Sequence, residues 1–179
     1  MEIRRIKKSD DIKAIGKIYE KSWKFAYDGI IPKDYLDSIS EDKWLPHFEN
    51  KDMSNLVLIE NNEFIGTSSY CKSRSKEFDD FGEIVSIYLL PEHMGKGYGK
   101  KLFEATLNEL IKLGYKNVFL WVLEENTRAR HFYENQNFKL SDKFNYINIG
   151  CKKLKIIAEN DLDNVVKVHA TGAVKAAKS

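Results

Sequence analysis

His93-Met94-Gly95-Lys96-Gly97-Tyr98-Gly99-Lys100 sets three glycines at alternate positions near the middle of the chain. Just before it, Glu83-Ile84-Val85-Ser86-Ile87-Tyr88-Leu89-Leu90 has the apolar and β-branched content of a strand, which Pro91 ends. Just after it, Leu102, Phe103, Thr106, Leu107, Leu110 and Leu113 recur at helical spacing until Gly114 stops them. The order is therefore strand, glycine turn, helix. Glycine allows the dihedrals and the close backbone approach through which successive N–H groups converge on an anion. The helix N-terminus adds partial positive charge at the same spot, and Lys96, Lys100 and Lys101 add mobile charge around it. A pyrophosphate is the expected guest.

Two other phosphate-binding turns do not fit these residues. A P-loop needs a longer glycine spacing and a Lys followed by Ser or Thr, whereas Lys100 is followed by Lys101. A dinucleotide fingerprint needs G-x-G-x-x-G with an acidic residue about twenty positions on. Here the glycines read G-x-G-x-G, and the corresponding stretch is Lys116-Asn117-Val118.

Outward from the turn, the chain reads as one mixed sheet. Ile3 and Ile6 open a short strand, and Ser9-Asp10-Asp11 caps a helix whose face is Ile12, Ile15, Ile18, Tyr19 and Ser22, ending near Trp23. Phe25 to Phe48, broken by Gly29 and Pro32, reads as helix, loop and helix. Leu56-Val57-Leu58-Ile59 and Phe64 to Tyr70 flank the polar Glu60-Asn61-Asn62-Glu63 and predict a hairpin. Val118 to Leu123 is a continuous apolar run of the buried-strand kind. Asn126 then caps a helix on which Ala129, Phe132, Tyr133 and Gln136 share a face. Phe138-Lys139-Leu140 and Phe144 to Ile149 read as a closing pair of strands. The expected architecture is α+β, with helices on both faces of the sheet.

A length of 179 residues at 42% hydrophobic composition suits one domain, expected over residues 1–158. Residues 159–179 carry no aromatic residue and are expected to form a tail, with packing on a second copy of the chain, a homodimer, as one option. With 29 basic and 27 acidic residues the net charge is only +2, and no basic-aromatic stripe points to nucleic acid. No stretch supplies the roughly 18 apolar residues of a membrane span. Cys71 and Cys151 are too isolated for a disulfide framework, so the expected compartment is the cytoplasm. His47, His93, His131 and His169 show no ligand spacing, and each reads as a surface or capping residue rather than a metal ligand.

Met94 to Gly99 resembles the cofactor motif of the GNAT superfamily of acetyl-CoA-dependent N-acetyltransferases, apart from Met94, where the family has Gln or Arg. Asn126-Thr127-Arg128-Ala129-Arg130-His131-Phe132-Tyr133-Glu134 resembles its second motif, and the likeness covers most of residues 1–150. Asn137 stands where a glycine is customary before Phe138. The resemblance implies a mostly antiparallel, splayed sheet. It implies acetyl-CoA as co-substrate, with its pantetheine arm along Ile87, Tyr88 and Leu89 and its pyrophosphate on Met94, Gly95, Lys96, Gly97, Tyr98, Gly99 and Lys100. Asn126 and Tyr133 would complete that site, Tyr133 protonating the departing thiolate. For the base, a water wire to Glu83 is preferred over Glu124 or Glu125, and Trp121 stands where some protein N-terminal acetyltransferases carry a glutamate.

The family walls its acceptor pocket with the region between the first helices. Here that region supplies Trp23, Tyr27 and Asp28, and aromatic faces beside carboxylates suit a cation. A small cationic primary amine such as a polyamine is the expected acceptor. A protein or peptide amine is the alternative, and a CoA-binding module without catalysis is the reading from another class.

Overall fold

A computed structural model describes residues 1–161 of the chain. Seven strands form a single sheet in the order β1-β2-β3-β4-β5-β7-β6. They are β1 (Glu2–Arg5), β2 (Ser54–Glu60), β3 (Glu63–Lys72), β4 (Gly82–Leu89), β5 (Val118–Leu123), β6 (Lys139–Ile149) and β7 (Lys152–Asp161). Every neighbouring pair is antiparallel except β4 and β5. The helices are α1 (Ile12–Ala26), α2 (Lys33–Asp37), α3 (Leu45–Glu49), α4 (Tyr98–Lys112) and α5 (Thr127–Glu134).

The expected hairpin is β2 and β3, turned by Asn61 and Asn62 at φ 50° and 63°. Two successive positive φ values define the tight hairpin turn that matches strand twist, and Asn tolerates them. Side chains then alternate across β3. Ser68 accepts a hydrogen bond from Thr106 on α4, while the neighbouring Ser69 hydroxyl meets Tyr19 on α1. The two long helices therefore cover opposite faces, as the period-two pleat requires.

Asp11 caps α1 by accepting from the Ala14 amide, and Ile15, Ile18, Tyr19 and Ser22 form its buried face. Burying side chains of this size contributes about 1.5–3 kcal/mol each. Ser22 also donates to the Leu89 carbonyl at 2.7 Å, which ties α1 to the end of β4. Gly16 lets α1 approach the short 3-10 turn at Glu41–Trp44. A Cβ there would sit 2.5 Å from the Glu41 carbonyl oxygen. Gly16→Ala should therefore destabilise by about 1–2 kcal/mol, since overpacking at about 1–3 kcal/mol exceeds the ~1 kcal/mol of helix propensity gained. Denaturant unfolding measures this, and a stabilised variant would show that the Glu41 turn yields.

The end of the chain departs from the sequence reading. Leu140 and Phe144 lie in one irregular strand, β6, not in two, and its partner is β7, which inserts between β5 and β6. The β7 segment lacks the alternation of a half-exposed strand: Leu154, Ile157 and Ala158 are buried among lysines, of which Lys153 and Lys155 lie over the Tyr146 and Phe144 rings of β6. The boundary expected at residue 158 falls inside β7, which continues to Asp161 beside Val118. The rest of the expected tail, and its packing on a second copy, lie outside the described residues. Among the described residues no helix is long and apolar enough to cross a membrane.

Candidate active site

The parallel pair β4 and β5 is registered only at Gly82–Val118, Glu83–Phe119 and Ile84–Leu120. Beyond Ile84 the strands part. A bulge marks the point: Ser69 of β3 faces Ser86 while Tyr70 faces Ile84, which leaves Val85 as an extra residue on β4. Bulges bend a strand and end local pairing. The gap opens into a cavity of about 400 Å³ walled by Val85 to Leu89 of β4, Trp121 and Val122 of β5, the glycine turn, α5 and the end of α1.

The turn itself lines the cavity through Gly95, Gly97, Gly99 and Lys100. Gly95 and Gly97 have φ of 76° and 82°, and a Cβ on either would meet nothing within 4 Å. Packing therefore places no demand for glycine here; the left-handed backbone does, and the space beside it is open. Gly97 is the cap of α4, and with Gly99 and Lys100 it lines the cavity, so the first helical turn, with its free amides, lies at the cavity wall. Gly99 differs, because a Cβ there would touch Leu89 and Phe132 at 3.4–3.5 Å. Its smallness lets α4 sit against β4 and α5.

The structure brings Ile87, Tyr88, Leu89, Met94, Gly95, Gly97, Gly99, Lys100, Asn126 and Tyr133 onto one cavity wall. Lys96 is exposed, and Tyr98 turns its hydroxyl to Glu60 at 3.3 Å, so these two side chains point elsewhere. Asn126 caps α5 through the Ala129 amide, which fixes the helix that carries Tyr133. The Tyr133 ring packs against Phe103 and Phe132. Arg128 lies beside Met94, donating to its sulfur and covering the Phe25 ring at 4.9 Å. Together they close the cavity rim between α5 and α1.

Of the expected acceptor residues, only Tyr27 reaches the wall. Trp23 is packed between Tyr27 and Trp44 and donates its indole N–H to the Tyr88 hydroxyl at 3.0 Å. Asp28 is exposed and lies off the wall. Desolvation, with Tyr27 next to it, pushes the Tyr88 hydroxyl well above its ordinary range, so both tyrosines stay neutral.

Glu83 is not brought to the cavity. Its carboxylate is 2% exposed and held by Arg74, with Nη2 at 2.7 Å, Nε at 3.1 Å and the backbone amide at 2.9 Å. Such a bidentate, charge-assisted pair fixes the carboxylate in place. Cys71 lies opposite Glu83, where burial pushes its thiol up to about 11, so it is a packed, unreactive side chain. Among the described residues no cluster of His, Cys, Asp or Glu is placed to hold a metal.

The sequence did not single out Ser86, which lies on the cavity wall, and His47, expected as a surface or capping residue, is half-buried with its Nε2 2.8 Å from Ser69 Oγ. The available signal was chemical. Ser69 and Ser86 interrupt apolar strands, and buried hydroxyls need partners.

A glycine turn between a strand and a helix thus opens onto a cavity in the gap between two parallel strands. The sequence profile of the acetyltransferase (GNAT) family matches residues 14–138, and the chain belongs to that family. It is 34% identical over 125 residues to the uncharacterized N-acetyltransferase YuaI of Bacillus subtilis, covering 66% of this chain and 70% of that protein. It is 26% identical over 146 residues to a spermidine N(1)-acetyltransferase of Thermoplasma acidophilum, covering 79% and 90% respectively. Its fold matches the crystal structure of PaiA N-acetyltransferase from Thermoplasma acidophilum in complex with coenzyme A, at a TM-score of 0.69 and 24% identity over 90% of this chain and 100% of that one.

Proposed function

We propose that this acetyltransferase moves the acetyl group of acetyl-CoA to a primary amine of a small cationic molecule, a polyamine in particular. The observation that carries the reading is the single cavity wall joining the glycine cradle to Tyr133. The amides of Gly95 to Lys100 hold the pyrophosphate, those of Lys96 and Tyr98 included although their side chains turn away. The backbone of Ile87 to Leu89, unpaired toward β5, takes the pantetheine arm like an added strand. When bound, acetyl-CoA supplies an activated thioester. Tyr133 donates a proton at the sulfur position as the thiol departs.

Tyr27, Tyr88 and Trp121 give the acceptor end an aromatic wall, and a cation gains about 0.5–2 kcal/mol against such faces. The spermidine-acetylating relative supports the same substrate class. Tyr27→Ala should raise KM for the amine about two- to thirtyfold, that gain converted, while KM for acetyl-CoA stays constant. Asp28→Ala should leave both constants within about twofold, as exposed charges contribute little. Equal effects of the two substitutions would move the acceptor pocket away from the Tyr27 wall. A panel of polyamines, amino acids, aminoglycosides and peptide N-termini, read by thiol release, tests the class. The expected order puts spermidine and its relatives first, and a preference for neutral or anionic amines would reject the proposal.

A further inference from the structure

A line of hydroxyls runs from the cavity wall to α3, along the face of the sheet that α1 covers. Ser86, on the wall, lies 3.2 Å by its Oγ from the Tyr19 hydroxyl. Tyr19 lies 2.8 Å from Ser69 Oγ, and Ser69 Oγ lies 2.8 Å from His47 Nε2. Tyr19 and Ser69 are 2% and 0% exposed, whereas His47, on α3, is only half-buried. Asn55 braces the middle of the line, its side-chain oxygen accepting the Ser69 hydroxyl proton at 2.6 Å. Glu83 offers no such route, because Arg74 occupies its carboxylate.

We propose that the proton lost by the acceptor amine leaves the cavity through Ser86, Tyr19 and Ser69 to His47, which is the terminal base. This rests on the amine-acetylation reading. The ammonium N–H bond breaks and its electron pair stays on nitrogen. Ser86 takes that proton and passes its own hydroxyl proton to Tyr19; Tyr19 passes its own to Ser69, and Ser69 turns its own from Asn55 Oδ1 to neutral His47 Nε2 and passes it there. Each hydroxyl ends with one proton, as it began, and the positive charge has moved to an imidazole that solvent can reach. Burial holds the Tyr19 hydroxyl above its ordinary range, so it relays a proton without ionising.

The groups around His47 suit the role. Burial of the ring is the main cause that lowers its pKa below the usual value, Asn55 opposes this through a hydrogen bond, and the Arg74 charge adds to the lowering. Tyr19 from α1, Ser69 from β3 and the neighbouring Phe48 complete its surroundings. A lowered value leaves the imidazole neutral and able to accept at neutral pH. The rate should therefore climb as pH rises through a value below the ordinary ~6.5 of histidine.

His47→Gln keeps a hydrogen-bonding side chain beside Ser69 but removes the base. It should lower kcat with the best amine at least about tenfold, in the range of general base catalysis, and abolish the acid limb of the pH profile. Ser69→Ala, which leaves Tyr19 and His47 joined only by their long 3.4 Å contact, should do the same while KM for acetyl-CoA stays unchanged. In the free protein, the His47 ring titration followed by NMR should give a pKa below that of free histidine. A fall in kcat of less than tenfold in both variants, an acid limb that persists in them, or an NMR pKa at or above the free value overturns the relay. An absence of turnover with every amine would instead reject the acetylation reading, so the two failures are distinct.

Discussion

Gly97→Val is expected to weaken coenzyme A binding at least about a hundredfold while costing the fold little. A side chain at Gly97 would enter the open space proposed to take the phosphate, as nothing else lies within 4 Å of that position. Losing two charge-assisted hydrogen bonds at about 1.5–3 kcal/mol each accounts for the factor. Forcing a β-branched residue to a φ of 82° adds about 1–2 kcal/mol of strain, or a few degrees of Tm. Gly114→Val separates the two effects. Gly114 has a φ of 94° and equally open surroundings, but it lies at the other end of α4. The control should lose similar stability and keep its coenzyme A affinity. Equal affinity in Gly97→Val and the native protein would remove the cradle from the binding site.

Tyr133→Phe should lower kcat about ten- to a thousandfold with KM for acetyl-CoA nearly unchanged, since general acid catalysis contributes on the order of 10²–10⁴. The substitution keeps the ring that packs at 6.1 Å from Phe103 and 5.3 Å from Phe132, so stability should hold. Only the hydroxyl is lost. An unaltered kcat would make Tyr133 a packing residue and leave the thiolate to be protonated by water. The Tyr133→Phe and His47→Gln effects should also fall on different limbs of the pH profile, because one residue donates a proton and the other accepts one.

The glycine turn was legible because its dihedral demand is local. Three alternate glycines between a strand and a helix announce a backbone that no other residue would suit, and the structure gives Gly95 and Gly97 the expected positive φ. The Asn126 cap and the stripe on α4 were legible for the same reason, being set by neighbours within one or two turns. β7 was not. Its lysines and its buried Leu154, Ile157 and Ala158 make sense only once β5 and β6 lie on either side of it, a contact made across the chain.

The acceptor side was hidden in the same way. Trp23 and Tyr27 are four residues apart on and just beyond one helix, yet Trp44 and Tyr88, from distant segments, decide that Trp23 is packed while Tyr27 meets the cavity. Glu83 begins the right strand. Its fate depends on Arg74, nine residues earlier in a loop whose course the sequence does not dictate. The bulge at Val85 gave no sequence signal either, although it opens the cavity and sets Ser86 on the wall.

If this cavity joins an acetyl donor to a cationic amine, the transferred group must end on the amine. The most direct measurement incubates the protein with acetyl-CoA labelled in its acetyl group and with spermidine, and follows both products by mass spectrometry. Label is expected on a primary amine nitrogen of spermidine in an amount equal to the coenzyme A released. Label found only in free acetate, or no release of coenzyme A at all, would contradict it.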